Sequence, residues 1–346
     1  MVFYERRKIM KKYISLMLTC FLIISVLSLV SCDMKTGLRF ELNEDGQSYT
    51  LISGISCSDK HVVIPETYEG LPVTSIGKEA FFASETMESI SIPSTVTSIG
   101  KEAFLGARLL KEITIPDSVT DIGEGAFLCC EALESVIIGS SVTNISDKMF
   151  AGCSKLKSVV LPESVTTIEY QAFAYCEALE GIELPSSLTY IGEEAFIECK
   201  ALTSISMPNS VINVGKNAFS CCSLLKDVLL SNSLTTISEG MFRRCGLESI
   251  VIPSSVRSID MDAFYACTSL KDITIPNSVT KIGKFAFVDC ESLESIVIPS
   301  SVEIMEYCVF KHISQPPTTI YCEAESQPDT WDDMWNPTEF EVKWGN

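Results

Sequence analysis

The residues best equipped for chemistry in this chain of 346 are its fifteen cysteines and two histidines. Thiolates with imidazoles make zinc sites, and a serine or cysteine beside a histidine makes a nucleophile. The nearest approach to a zinc site is Cys308 with His312, followed by Cys322. Structural zinc takes four ligands, usually from two tight pairs, and no second pair is present. Asp329, Asp332 and Asp333 cluster as carboxylates, without the ordered ligand loop of a calcium site. His61 and His312 stand far apart, so no Ser-His-Asp set or nucleophile elbow can be assembled around either. The sequence therefore implies no metal, no cofactor and no enzymatic activity. Lys plus Arg number 26 against 45 Asp plus Glu, a formal charge of −19. Phosphate contacts need clustered cations, so nucleic acid is excluded as a partner. What remains is recognition at a surface, and the elements that must position it.

The first 31 residues read as an export signal to be left out of the fold. Arg6, Arg7, Lys8, Lys11 and Lys12 precede an uncharged run from Tyr13 to Cys32, the order of a basic and then an apolar signal region. Met10 opens a more typical signal, with residues 1–9 as an over-extended start. The run ends Leu29-Val30-Ser31-Cys32 and resembles the bacterial lipobox. That resemblance implies a lipoprotein signal peptide, with Cys32 acylated as the first residue of the mature protein. The other reading is an uncleaved anchor, since twenty residues just span a bilayer. Removing residues 1–31 takes away five cations and one anion, leaving 21 basic and 44 acidic side chains, net −23. Such a domain is not drawn to anionic lipid. Membrane attachment then rests on the N-terminal acyl chains, at about 0.8 kcal/mol per buried CH₂.

Beyond this address the chain keeps a ruler of 23 residues. Phenylalanine recurs from Phe81 through Phe104, Phe127, Phe150 and onward to Phe310, with a single interval of 22 between Phe242 and Phe264. Proline keeps the period at Pro93, Pro116, Pro162, Pro185, Pro208, Pro253, Pro276 and Pro299, with Gly139 and Ser231 in the gaps. Cysteine keeps it at Cys130, Cys153, Cys176, Cys199, Cys222, Cys245, Cys267 and Cys290. The short interval falls where Gly246 alone separates Cys245 from Leu247. A repeat of this length has too little apolar area to fold alone, so neighbours must stack around one continuous core.

Within one unit, Leu156, Val159 and Leu161 alternate as an inward-facing strand that Pro162 ends, because proline lacks the N–H for the ladder. Val165 and Ile168 form a second short inward segment, and Gln171-Ala172-Phe173 reads as one turn of helix. The expected fold is an α/β solenoid, with short parallel strands and short helical turns, capped at both ends. The motif Leu110-Lys111-Glu112-Ile113-Thr114-Ile115-Pro116, continuing to Ala126-Phe127, resembles the BspA-like (Treponema pallidum-type) leucine-rich repeat surface proteins. The resemblance covers about 71–313, or about ten repeats. The full expected order is signal peptide 1–31, lipid-anchored linker 32–39, N-terminal cap 40–70, solenoid 71–313 and C-terminal cap 314–346.

Reading down the repeats reads stripes on the surface, since adjacent strands lie about 4.8 Å apart. One column alternates in charge through Lys111, Glu134, Lys157 and Glu180, a ladder of about 0.2–1 kcal/mol per pair. A second runs Thr114, Ile137, Val160, Glu183, Ser206, Leu229, Val251, Thr274 and Val297. It is the candidate face for a protein ligand, although β-branched residues also simply favour strands. The eight-cysteine column reads as buried free thiols, whose parallel side chains do not face one another for disulfides. Trp331, Trp335 and Trp344, all in the last sixteen residues, read as a lid over the last repeat or as an aromatic platform. The resemblance implies a surface-exposed adhesin of the bacterial cell envelope, binding host matrix or neighbouring-cell proteins. The rivals are a periplasmic or envelope scaffold and a carbohydrate- or peptide-binding module using the tryptophan end.

Overall fold

The computed structural model describes residues 30–33, 36–311, 318–338 and 340–345. Most of the expected export signal, and His312, lie outside the described residues. Each repeat but one crosses the molecule twice as strand; the unit containing Gly181–Glu183 has only the second crossing. The first crossing is usually three residues long, as in Glu112–Thr114, Ser135–Ile137 and Ser158–Val160, and the second is two, as in Thr167–Ile168 and Tyr190–Ile191. Both stack in parallel on the same crossing one repeat away, pairing Val136 with Val159 and Ile168 with Ile191. At the short unit the offset falls to 22, with Ile237 opposite Ile259. Three residues per strand suffice because only the middle one must be buried: Ile113, Val136, Val159 and Ile205 point inward while their neighbours stay at the surface.

The described residues contain no helix of any kind. The fold is thus a pure β-solenoid, which corrects the α/β solenoid with helical turns expected from Gln171-Ala172-Phe173. The cause is the sign of φ. Gln171 and Tyr175 have φ of 53° and 60°, and the same two columns are left-handed in each unit, from Glu79 and Ala83 to Phe285 and Asp289. A right-handed helix cannot pass through such residues. Their hydrogen bonds alternate instead between the turn and the next repeat. The N–H groups of Ala172, Ala174 and Cys176 donate to carbonyls three residues back, while those of Gln171, Phe173 and Tyr175 donate to Glu193, Ala195 and Ile197. Left-handed backbone costs a non-glycine residue about 1–2 kcal/mol. In return every second N–H along the turn is tied to the neighbouring repeat, and the phenylalanine between them is directed into the core.

Those phenylalanines form the axis of the molecule. From Phe81 to Phe310 they are at most 1% exposed, with consecutive rings nearly parallel and 5.0–5.9 Å apart. The first is covered from the N-terminal side. A Cβ on Gly54 would lie 2.1 Å from the Phe81 ring, and the adjoining strands Leu38–Leu42 and Tyr49–Ser53 bury Phe40 and Leu51. Gly246 accommodates the missing residue in a similar way: a Cβ there would meet the Ser223 carbonyl oxygen at 2.3 Å. Gly246→Ala is therefore expected to lower unfolding stability by about 1–3 kcal/mol, the usual cost of overpacking. Urea denaturation reads this, and an unchanged midpoint would show that the short turn has slack.

Candidate functional site: the exposed face of the first strand stack

The outward residues of the three-residue strands form the surface on which a ligand can rest. All nine members of the candidate column are exposed. Ile137, Val160, Leu229, Val251 and Val297 show 51, 58, 64, 78 and 51% of their surface, a large aliphatic area for a row of neighbours. Solvation of such side chains is unfavourable by roughly 25 cal/mol per Å², so covering them is a source of binding energy. Thr114 and Thr274 lie in the same row. Glu183 and Ser206 divide it into two apolar segments.

The charged column runs beside this row and is partly neutralised within itself. Glu88 accepts hydrogen bonds from Lys111 at 2.5 Å and Lys60 at 2.7 Å, and these ammonium groups hold its carboxyl down at about 2. Glu134 pairs with Lys157 at 3.2 Å, and Glu248 with Lys226 and Lys271 at 2.9 and 3.1 Å. Among the described residues Glu180 and Glu183 have no ion pair.

The strand stack is interrupted beside these two carboxylates. Gly181, Ile182 and Glu183 occupy the place of a strand but do not form one. The backbone groups of Gly181–Leu184 make no hydrogen bond to other backbone on either side. Elsewhere in the stack, where pairing stops between Asp227–Leu229 and Ser249–Val251, each strand keeps a partner on its other side. The interruption opens a shallow depression of about 730 Å³, bounded by Ser158, Glu183, Ser204, Ser206 and Pro208 over Ile182. Sequence reasoning missed it. The available signal was Gly181, which has the weakest strand preference of any residue in its column.

The cysteine column lies in the core, each member three residues beyond the phenylalanine of its own unit. Its eight members are at most 3% exposed, and all are free thiols. Each Sγ–H donates to the backbone carbonyl of the phenylalanine one repeat earlier, as Cys176 does to Phe150 at 3.3 Å and Cys199 to Phe173 at 3.2 Å. That carbonyl also accepts an N–H within its own repeat, so the thiol occupies its second lone pair. Burial pushes the thiols of Cys153, Cys176, Cys199, Cys245 and Cys290 up, and that of Cys267 to about 12. Cys129 and Cys221 are half-buried.

At the C-terminal end Trp335 meets Phe310 edge-on at 6.0 Å, and Trp331 meets Trp335 at 5.3 Å. Both indoles are under 5% exposed. The Trp331 N–H donates to the Val302 carbonyl and that of Trp335 to Gln327 Oε1. Trp344 is partly exposed in the strand Val342–Trp344. Cys308 and Cys322 are buried. Among the described residues no group of three or more His, Cys, Asp or Glu is placed to hold a metal ion, and no helix is long and apolar enough to cross a membrane. Cys32 lies in the strand Val30–Asp33, opposite Arg39.

A stack of 23-residue coils with a phenylalanine axis and one exposed aliphatic row defines a leucine-rich repeat solenoid. Residues 74–203 and 189–316 match the BspA type leucine rich repeat region, in six copies, and the chain belongs to that family. As a member it is a non-enzymatic repeat scaffold. Among solved structures it is similar to a leucine rich cell surface protein from Faecalibacterium prausnitzii, at 29% identity over 79% of this chain and 95% of that one, with a TM-score of 0.39. A leucine-rich repeat protein from Bacteroides ovatus is 27% identical over 81% and 96% of the two chains, with a TM-score of 0.42. The pneumococcal vaccine antigen PcpA shares the fold at 19% identity over 93% of this chain and 100% of that chain, with a TM-score of 0.53. No curated protein gives a significant match.

Proposed function

We propose that this chain is an adhesin-like binding protein of the bacterial cell surface, anchored by lipid on Cys32, which recognises a protein ligand through its exposed aliphatic row. The carrying observation is that row itself: Ile137, Val160, Leu229, Val251 and Val297 on one face, each more than half exposed. Exposed apolar patches rimmed by charge mark protein interaction sites. The row spans eight intervals of about 4.8 Å, roughly 40 Å, enough for a broad interface. A host matrix or neighbouring-cell surface protein is the partner class that the family resemblance implies. The lipid would sit at the N-terminal end of the rod, leaving its long face free. Carbohydrate binding by the tryptophan end draws no support from the geometry, since Trp331 and Trp335 are buried.

Protease shaving of intact cells separates this reading from an internal scaffold. Digestion of the repeats, with a cytoplasmic control protein spared, is the expected result. Protection until the envelope is opened would remove direct adhesion. On the purified protein, Val160→Asp, Leu229→Asp and Val251→Asp are each expected to weaken capture of a matrix or partner-cell protein. At least one should do so by about 30-fold, the equivalent of a 2 kcal/mol hot spot. Unchanged capture by all three would move the site off this face.

A further inference from the structure

We propose that the depression at Gly181–Leu184 is the specificity centre of the binding face, taking an extended segment of the partner protein with a lysine or arginine between two apolar residues. This rests on the aliphatic row being the partner's site. Three observations meet here. The depression is the only stretch of the first stack, among the described residues of the repeats, whose backbone is unpaired on both sides. A Cβ on Gly181 would meet nothing within 4 Å, so space above the floor is open for close approach.

Charge then selects the occupant. Glu183 bounds the depression and Glu180 precedes it. Neither has an ion pair among the described residues, although Glu88, Glu134 and Glu248 in the same stack are each neutralised by lysine. The exported chain is also strongly acidic, at −23. A cation in the segment would be attracted at long range and neutralised on arrival.

Spacing sets the pattern of the segment. Along the row, Val160, Glu183, Ser206 and Leu229 fall at about 0, 5, 10 and 14 Å, from the 4.8 Å strand separation. An extended chain advances about 3.3 Å per residue, so alternate side chains on one face fall at about 0, 7 and 13 Å. The outer two reach Val160 and Leu229. The middle one arrives between Glu183 and Ser206. The pattern is therefore apolar-x-basic-x-apolar.

The probe is a fluorescein-labelled peptide Gly-Gly-Leu-Thr-Lys-Thr-Leu-Gly-Gly, with a twin carrying Glu in place of Lys, titrated against the full exported chain by anisotropy. The lysine peptide is expected to bind at least tenfold more tightly than its twin, and Glu183→Lys to reverse that order. Glu183→Gln should abolish the preference without unfolding the protein, because the side chain is exposed. Failure of the lysine peptide to bind at millimolar concentration overturns the proposal. So does equal binding of the two peptides, or a preference that Glu183→Lys leaves unchanged. If these failures occur while Val251→Asp still abolishes capture of the partner protein, the depression is wrong and the row stands. A partner indifferent to Val160→Asp, Leu229→Asp and Val251→Asp overturns the row as its site, and this refinement with it.

Discussion

Replacing Phe196 by alanine is expected to lower stability by about 3–5 kcal/mol and to divide a single unfolding transition into two. Phe196 is fully buried, with ring centroids 5.2 Å from Phe173 and 5.3 Å from Phe219. Its neighbours cannot close the cavity, because the turns that carry their rings are tied by backbone bonds to the next repeat, as Phe173 N–H is to the Ala195 carbonyl. A solenoid is stabilised by nearest-neighbour interfaces. The damage therefore falls on the two interfaces that couple the halves of the molecule, leaving both halves otherwise intact. The chain carries its own reporter for one half, since all three tryptophans lie near the C-terminus. In the unaltered protein, tryptophan fluorescence and far-ultraviolet circular dichroism should change together in urea. In Phe196→Ala they should separate. Coincident transitions with a loss under about 1 kcal/mol would mean that the axis is not what couples the repeats.

This axis was readable because burial imposes residue type. Only a large apolar side chain fills the centre of each coil, so Phe104, Phe127 and Phe150 had to recur at the repeat length. The path of the backbone between them was not legible in the same way. An Ala-Phe pair flanked by polar residues satisfies one turn of helix as well as a turn bracketed by two left-handed residues. Glu102, Lys148, Gln171 and Glu194 take positive φ, yet none has a residue type that announces it. The legible hint was glycine recurring in those two columns, at Gly106, Gly125, Gly152 and Gly240, with Asn217 beside them. The depression was harder still. It depends on unmade backbone hydrogen bonds at Gly181–Leu184, for which the lone glycine of its column, Gly181, was a faint hint.

The second large effect concerns the thiols. Native protein treated with iodoacetamide at pH 7 should be modified at Cys129 and Cys221 well before Cys153, Cys176, Cys199, Cys245, Cys267 and Cys290. Only the thiolate reacts. An ordinary cysteine, with a pKa of about 8.5, is a few per cent thiolate at this pH. Cys267, pushed to about 12 by burial, would be thiolate only at about one part in 10⁵, so its reaction should slow by roughly 10³-fold before lost access is counted. The Sγ–H bond to the Phe242 carbonyl, at 3.0 Å, acts in the same direction by holding the proton. Modification of a column member therefore requires its coil to open, and the rate reports the stability of that coil. In Phe196→Ala, opening should be easiest at the damaged interfaces, so Cys199 should be the first column member released, with Cys290 still protected. Peptide mass spectrometry of timed samples reads the order. Modification of the native column at the rate of a free thiol would show that the ladder is open to solvent, and with it the core that the phenylalanine axis is meant to seal.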